Sequence, residues 1–144
     1  MMIGVMHGPN LGRLGRRQPE IYGRTSLSDV EADLRATFPE VEFQFFQSNH
    51  EGALIDTLES WRDQGIRDVV MNPGALTHQS YALRDAIEGL ELRVVEVHLS
   101  NIYRREPFRA HSIIAPVVVG QISGLGVMGY HLAVRYLIAS SGAV

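Results

Sequence analysis

The chain has no cysteine and no lysine, and these two absences remove several classes of chemistry. Without cysteine among its 144 residues there can be no disulfide, no thiolate nucleophile and no thiolate metal site. All 13 basic residues are arginine. Schiff-base catalysis, pyridoxal phosphate attachment and the Walker phosphate loop all need a lysine amine and are therefore excluded. Arginine is also the side chain suited to holding a carboxylate through two parallel hydrogen bonds.

The sequence also lacks long apolar runs and any large excess of charge. No stretch approaches the length that spans a bilayer, and the first residues lack a signal-peptide pattern, so we expect a cytoplasmic protein with no membrane partner. The formal charge of -3 gives no general attraction to nucleic acid. A length of 144 residues and a hydrophobic fraction of 45% are typical of one globular domain, which we expect to span residues 1–144.

Strand and helix patterns alternate along the chain, which predicts an α/β fold with helices on both faces of a parallel sheet. The predicted strands are Met2–His7, Glu42–Gln47, Asp68–Asn72, Arg93–His98 and 117–123. Five β–α units of this kind indicate a flavodoxin-like five-stranded sheet. In such sheets ligands bind beyond the carboxyl ends of the strands, where this sequence has polar loops rich in glycine and proline.

Two helix starts are marked by capping-box spacings, in which a serine is followed three residues later by glutamate. Ser28 with Glu31 opens one predicted helix, and Ser48 with Glu51 opens another that continues to Trp61. The two remaining predicted helices cover 80–90 and 126–139.

The strand Arg93–His98 carries the most informative local pattern. Because side chains alternate between the faces of a strand, Glu96 and His98 share one side while Val95 and Val97 share the other. A carboxylate two residues from an imidazole can fix its tautomer and favour its protonated form, which would make His98 a general acid. A purely structural pair at the edge of the sheet is the alternative, and the spacing alone does not decide between them.

Seven of the 13 arginines lie in two loops. They are Arg13, Arg16, Arg17 and Arg24 in the loop 8–24, and Arg104, Arg105 and Arg109 in a second segment. The first loop also contains Tyr22, and an arginine beside a phenol lowers its pKa, so that the tyrosine could act as a base. The alternative is a solvated basic face, or loop arginines that pair with acidic neighbours, and it is favoured for most of these residues.

A glycine motif near the end of the chain matches a dinucleotide-binding pattern that we do not accept. Gly124, Gly126 and Gly129 satisfy G-x-G-x-x-G, but only 15 residues follow, so no later strand can supply the acid that binds the ribose. We interpret these glycines as a close turn with helix–strand packing, or as a contact between subunits. The six histidines show no metal-ligand spacing, and we expect no metal.

Five segments carry further motifs in a fixed order along the chain. They are H-G-P-N-L-G-R-L-G-R-R-Q-P-E-I-Y-G (7–23), Q-S-N-H-E-G (47–52), N-P-G-A-L-T-H-Q-S-Y-A-L-R-D (72–85), E-V-H-L-S-N-I-Y (96–103) and G-L-G-V-M-G-Y (124–130). Together they resemble the type II 3-dehydroquinate dehydratases. The resemblance implies a flavodoxin-like, cofactor-free homododecamer, a tetramer of trimers. It also implies anti elimination of water from 3-dehydroquinate through an enolate, giving 3-dehydroshikimate in the shikimate pathway.

The resemblance assigns the chemical steps to particular residues. Tyr22 would be the base that removes the proton beside the ketone, with Arg17 lowering its pKa. Asn10 would help to hold the water that stabilises the enolate. His98, supported by Glu96, would protonate the departing hydroxyl. The unrelated type I enzymes use a lysine imine, a route closed to a chain without lysine.

Further residues would bind the substrate or close the site. The residues implied are Leu99 and Ser100 through backbone amides on the carboxylate, Asn72, His78 and Arg109 on ring oxygens, and Asp85 from a neighbouring subunit. The loop 72–75 would help to hold the water, and the loop 8–24 would close as a lid. Gln18, Pro107 and Ala110 depart from the usual family pattern.

Two functions of other classes remain as alternatives. A flavodoxin-like module could bind a small anion without turning it over, using the same arginines. A structural subunit could use its glycine-rich last unit for packing. Neither alternative explains a base, an acid and a lid in one chain, and an assay for the enone product separates all three.

Overall fold

A computed structural model of the chain describes residues 1–16 and 18–142, without the side chain of Tyr22. Its strands are β1 (Met2–His7), β2 (Glu42–Gln47), β3 (Asp68–Asn72), β4 (Arg93–His98) and β5 (Gly120–Ser123). They form one parallel sheet in the order β2-β1-β3-β4-β5. This is the flavodoxin-like order of a doubly wound sheet, so the predicted fold class is confirmed.

Helices cover both faces of this sheet. They are α2 (Leu27–Thr37), α3 (Glu51–Asp63), α4 (Tyr81–Gly89) and α5 (Met128–Ala139), and a further short helix, α1 (Pro19–Tyr22), precedes them in the chain. Short 3-10 turns occur at Leu11–Arg13, Gly74–His78, Ile102–Arg104, Pro107–Ala110 and Ala115–Val117. None of the helices in the described part of the chain is long and apolar enough to cross a membrane.

The sheet separates two hydrophobic cores. On one face α2 and α5 pack against β1 and β4 through side chains such as Leu34, Val134 and Val97. On the other face α3 and α4 pack through side chains such as Leu58 and Leu83. The predicted alternation of β4 is confirmed, because Val95 and Val97 belong to the first core and Val94 to the second. Glu96 and His98 therefore extend from the face of α3 and α4.

The first long helix begins earlier than its predicted cap. Ser26 is the N-cap of α2: its Oγ accepts from the Asp29 amide at 3.1 Å, and Asp29 Oδ2 accepts from the Ser26 amide at 3.0 Å. The capping box predicted at Ser28 with Glu31 is therefore wrong. The same spacing occurs two residues earlier with aspartate in the acidic position, and Ser28 lies within the first turn of the helix.

The second predicted capping box is also wrong, because its two members have other partners. His50 is the N-cap of α3, and Ser48 Oγ accepts from the His50 amide at 2.9 Å. Glu51 Oε2 accepts from Ser80 Oγ at 2.5 Å, which joins the start of α3 to the start of α4. A tertiary hydrogen bond has thus replaced the local one that the spacing predicts.

The fifth strand is shorter than predicted. The segment 117–123 was expected to be extended, but Ala115–Val117 forms a 3-10 turn with Pro116 near its start, and pairing with β4 begins at Gly120. Proline has no amide hydrogen to donate to a strand partner, which favours a turn there. The last helix likewise begins at Met128, because Gly124 and Gly126 form a turn with positive φ angles.

Candidate active site

A cavity of about 200 Å³ lies at the carboxyl ends of β1, β3 and β4, lined by the loops that follow these strands. This is the edge at which doubly wound sheets bind their ligands. Seven of the residues predicted for the site line the cavity. They are Asn10, Asn72, His78, His98, Leu99, Ser100 and Arg109.

Glycine allows the loops after β1 and β3 to touch. The Gly8 amide donates to the Asn72 carbonyl oxygen at 2.8 Å. A Cβ at Gly8 would lie 2.3 Å from the carbonyl oxygen of Pro73, a distance that only glycine tolerates. Gly74 has a φ of +61°, in the left-handed region that glycine enters without steric cost. These contacts fix the floor of the cavity.

Residues at the end of β2 support the loop that follows β1. Asn10 has a positive φ of 71°, and its amide donates to Asn49 Oδ1 at 2.9 Å. Gln47 Nε2 donates to the Gly8 carbonyl and to Asn49 Oδ1, each at 3.2 Å. The segment 47–49 therefore positions Asn10 from outside the cavity.

Glu96 and His98 form a buried pair beside the cavity. His98 Nε2 lies 2.5 Å from Glu96 Oε2. Glu96 is fully buried and lies behind His98, which lines the cavity. With Nε2 directed at the carboxylate, Nδ1 is the ring nitrogen that can exchange a proton with a ligand.

Three neutral donors hold the Glu96 carboxylate in addition to His98. Oε2 accepts from Thr77 Oγ1 at 2.6 Å and from Gln121 Nε2 at 2.9 Å, and Oε1 accepts from Ser112 Oγ at 3.0 Å. Burial by itself would raise the pKa of Glu96, but the hydrogen bonds from His98, Thr77 and Gln121 outweigh it and the pKa is lowered. Glu96 is therefore an anion that can stabilise a protonated His98.

Sequence reasoning did not find these three donors. Thr77 follows β3, Ser112 lies in a loop and Gln121 is the register partner of Glu96 on β5. They come from three separate parts of the chain, so no local pattern indicates that they share one carboxylate.

Two arginines add positive charge to the cavity wall. Arg109 Nε donates to Glu106 Oε2 at 3.0 Å, and its guanidinium lies 4.7 Å from the centre of the Phe108 ring. Pro107 occupies the first position of the 3-10 turn that carries Arg109, where a proline costs little because the missing amide hydrogen would have no partner. Arg105 also lines the cavity, and its Nη1 donates to Ser100 Oγ at 3.4 Å. Such a wall favours an anionic ligand.

His78 has a defined tautomer. Its Nδ1 donates to the backbone carbonyl of His111 at 2.8 Å, so that Nε2 remains for a ligand. The ring also meets Phe108 edge-on, with centroids 5.5 Å apart. The side chain is thus held from two directions at the cavity wall.

A second buried group of polar side chains lies on the opposite face of the sheet. His7 Nε2 is 3.0 Å from the hydroxyl of Tyr130, and Asn72 Nδ2 is 3.2 Å from the same oxygen. Burial lowers the pKa of His7 to about 4 and raises that of Tyr130. His7 and Tyr130 are 123 positions apart, and no local pattern in the sequence indicates that they meet.

Four predicted site residues remain to be placed, and of these Glu96 lies behind His98. Arg17 lies outside the described residues, and Tyr22 is described only through its backbone in α1. Asp85 is exposed on α4 and does not line the cavity. Near the loop after β4, however, Ile21 and Gly23 share a surface depression with Ser100, so the segment around α1 borders the site.

The described residues contain no group of three or more His, Cys, Asp or Glu side chains that could hold a metal ion. The glycines 124, 126 and 129 serve a turn and close packing, since a Cβ at Gly129 would lie 3.1 Å from Val97. The cavity thus offers a histidine with an anionic partner, a second histidine and two arginines. This set can bind an anion and exchange protons with it.

Comparison with known proteins identifies close relatives. The family model described as Dehydroquinase class II matches residues 1–138. The 3-dehydroquinate dehydratase of Bacillus pumilus is 56% identical over 142 residues, which cover 97% of this chain and 96% of that protein. The 3-dehydroquinate dehydratase of Bacillus subtilis is 54% identical over 140 residues, covering 96% of this chain and 94% of that protein.

The fold has close solved counterparts. The type II dehydroquinase from Butyrivibrio crossotus superposes with a TM-score of 0.93 at 41% identity, covering 96% of this chain and 97% of that chain. The type II dehydroquinase from Propionibacterium acnes gives a TM-score of 0.90, also at 41% identity and covering 96% of each chain. The similarity in sequence and structure thus extends over nearly the whole chain.

Proposed function

Because the chain belongs to the class II dehydroquinase family, we propose that its cavity binds 3-dehydroquinate and that the protein removes water from it to give 3-dehydroshikimate. The observation that carries this proposal is the buried Glu96–His98 pair beside a cavity with arginines in its wall. The elimination takes one proton from the carbon beside the ketone and gives one to the departing hydroxyl, so it needs a base and an acid. It is a hydro-lyase reaction of the shikimate pathway.

His98 is the acid of this mechanism. Its Nδ1 donates a proton to the hydroxyl, the carbon–oxygen bond breaks, and the hydroxyl leaves as water. Glu96 stays ionised and stabilises the imidazolium before the transfer, because its other donors hold it as an anion. This assignment is supported by the burial of the pair and by the position of His98 at the cavity wall.

Tyr22 is the proposed base, and the loop 8–24 the proposed lid. The phenolate takes the proton beside the ketone, and Arg17 lowers the pKa of the phenol. The resulting enolate is stabilised through a water held by Asn10 and the loop 72–75. The position of Ile21 beside Ser100 supports this arrangement, since it brings the backbone next to Tyr22 close to the cavity.

The substrate is held from two sides in this proposal. The amides of Leu99 and Ser100 bind its carboxylate, and Arg105 near Ser100 adds positive charge there. Ring oxygens are bound by Asn72, His78 and Arg109, all of which line the cavity.

The test is to incubate the protein with 3-dehydroquinate and to follow the absorbance of the enone product. We expect turnover, and a decrease of kcat by ~10²–10⁴ in His98→Ala. His131→Asn is the matched control, because His131 contacts Asp33 and does not line the cavity. Saturable binding without any enone would instead identify an anion-binding module.

Proton exchange separates the base from the acid. In D₂O, His98→Ala should still exchange the proton beside the ketone, because the first step does not need the acid. Tyr22→Phe should not exchange it. Mass spectrometry of the recovered substrate measures the incorporation directly, and normal exchange in Tyr22→Phe would remove Tyr22 from the mechanism.

We also propose a cytoplasmic homododecamer, a tetramer of trimers, in which Asp85 completes a neighbouring site. The exposure of Asp85, away from the cavity of its own chain, supports a role across a subunit boundary. Light scattering combined with activity across a dilution series tests this. Full activity in a monomeric species would contradict it.

A further inference from the structure

The buried polar side chains behind the cavity form a connected series. Asn72 and His7 are register partners on β3 and β1, and both extend toward α5, which supplies Tyr130. His7 is 3% exposed, Asn72 is 3% exposed and Tyr130 is fully buried. Of the three, only Asn72 lines the cavity.

A backbone group orients the Asn72 amide at one end of this series. The Gly74 amide donates to Asn72 Oδ1 at 3.1 Å, which identifies the oxygen of the side-chain amide. Asn72 Nδ2 therefore faces Tyr130 and donates to its hydroxyl oxygen at 3.2 Å. The buried hydroxyl needs an acceptor for its own hydrogen, and among the described side chains His7 Nε2, 3.0 Å away, is in position to accept it. We therefore assign His7 as neutral with its proton on Nδ1.

One Nδ2 hydrogen of Asn72 is not used within this series. An asparagine amide has two Nδ2 hydrogens, and one of them is used by Tyr130. Among the residues that the structure describes, the second hydrogen has no protein partner, and Asn72 is one of the residues that line the cavity. The plane of the amide is fixed at both ends, by Gly74 and by Tyr130, so the second hydrogen has a fixed direction as well.

We propose that Tyr130 and His7 are positioning residues that hold the Asn72 amide so that its second Nδ2 hydrogen is donated to a ring oxygen of the bound substrate. This rests on the proposed function, in which Asn72 binds substrate. The burial of His7, which lowers its pKa to about 4, supports the argument, because a protonated Nε2 would donate to Tyr130 and leave the hydroxyl hydrogen without this acceptor. Neither Tyr130 nor His7 lines the cavity, so both act through Asn72.

Tyr130→Phe tests the proposal, because it removes only the hydroxyl. We expect KM for 3-dehydroquinate to rise by about three- to tenfold while kcat changes by less than about twofold, since a misdirected hydrogen bond weakens binding in ground and transition state alike. Tyr136→Phe is the matched control: it lies on the same helix, is exposed, and should leave KM unchanged. An unchanged KM in Tyr130→Phe would overturn the proposal.

A second pair of variants does not depend on Tyr130. His7→Gln keeps an acceptor near the place of Nε2 and should retain the wild-type KM, whereas His7→Leu removes the acceptor and should raise KM as Tyr130→Phe does. In the double variant with Tyr130→Phe, His7→Leu should add little to KM, because the series is already broken. Equal KM values for the two His7 variants, or additive effects in the double variant, would show a structural role only.

Asn72→Ala distinguishes failure of this inference from failure of the proposed function. If Asn72→Ala raises KM and Tyr130→Phe does not, Asn72 binds substrate without this support and only the inference fails. If Asn72→Ala itself leaves KM unchanged, the substrate contact assigned to Asn72 in the proposed function is wrong, and the inference fails with it.

Discussion

The neutral state of His7 predicts a specific loss of stability in mild acid. Its pKa in the folded protein is about 4, against an ordinary value of 6.5. As the pH falls from about 7 to 4, the unfolded chain binds a proton at this position and the folded protein does not, so the free energy of unfolding decreases over that range. Since one pKa unit corresponds to about 1.4 kcal/mol, the difference between 6.5 and about 4 corresponds to about 3 kcal/mol.

The assay is urea unfolding at a series of pH values between 7.5 and 4, at one fixed protein concentration because assembly also contributes to stability. Wild type is compared with His7→Gln, which cannot be protonated but still offers an acceptor to Tyr130. We expect wild type to lose about 3 kcal/mol more than His7→Gln across this range. His50→Gln is the control: His50 is exposed, and the variant should follow the wild-type curve.

Other titrating groups, including Glu96, are common to both proteins, and their contributions cancel in the difference. Parallel curves for wild type and His7→Gln would show that His7 binds its proton equally in the folded and unfolded states. Burial would then not lower the pKa of His7, and the argument that His7 is held as a neutral acceptor for the Tyr130 hydroxyl would fail.

Three further substitutions test other contacts. Glu96→Gln should lower kcat by ~10²–10³, because it removes the anion that stabilises the protonated His98 of the proposed mechanism. KM should change little, because Glu96 does not itself line the cavity. A kcat within about threefold of wild type in steady-state assays would show that Glu96 and His98 are a structural pair only. Gly8→Ala should reduce kcat/KM roughly tenfold, because the new Cβ would lie 2.3 Å from the Pro73 carbonyl oxygen and push apart the loops after β1 and β3. A wild-type kcat/KM would mean that these loops can move apart freely. Gly4→Ala should lower the free energy of unfolding by about 1–3 kcal/mol but not kcat, because its Cβ would lie 2.3 Å from the Trp61 ring in the core. Gly52→Ala, with no heavy atom within 4 Å, serves as its control in urea unfolding, and an equal stability of the two would contradict the packing argument.

The sequence predicted correctly those features that depend on residues close together in the chain. Four of the five strands have the bounds that were expected, because alternation or an apolar run defines them locally. Glu96 and His98 were paired correctly because two residues along a strand place two side chains on one face. The cavity itself followed from the rule that ligands bind at the carboxyl ends of the strands.

What the sequence could not predict depends on contacts between distant segments. Both capping boxes were misassigned because a serine–acid spacing does not show which backbone the side chains meet; Glu51, for example, turns to Ser80 on another helix. The predicted fifth strand is too long because an apolar run does not show where hydrogen-bonded pairing with the neighbouring strand begins. The partners of the Glu96 carboxylate and the contact of His7 with Tyr130 exist only in the folded chain.

The sheet explains how one small protein gives two histidines different surroundings near one cavity. His98 extends to the face of α3 and α4, where it meets a buried carboxylate that three other side chains also hold. His7 extends to the face of α2 and α5, where its described partner is a neutral hydroxyl and burial favours its uncharged form. Strand β3 lies between the two strands that carry them. Because each histidine has its partners on its own side of the sheet, the proposed acid His98 and the proposed substrate ligand Asn72 can act on one ligand without either environment weakening the other.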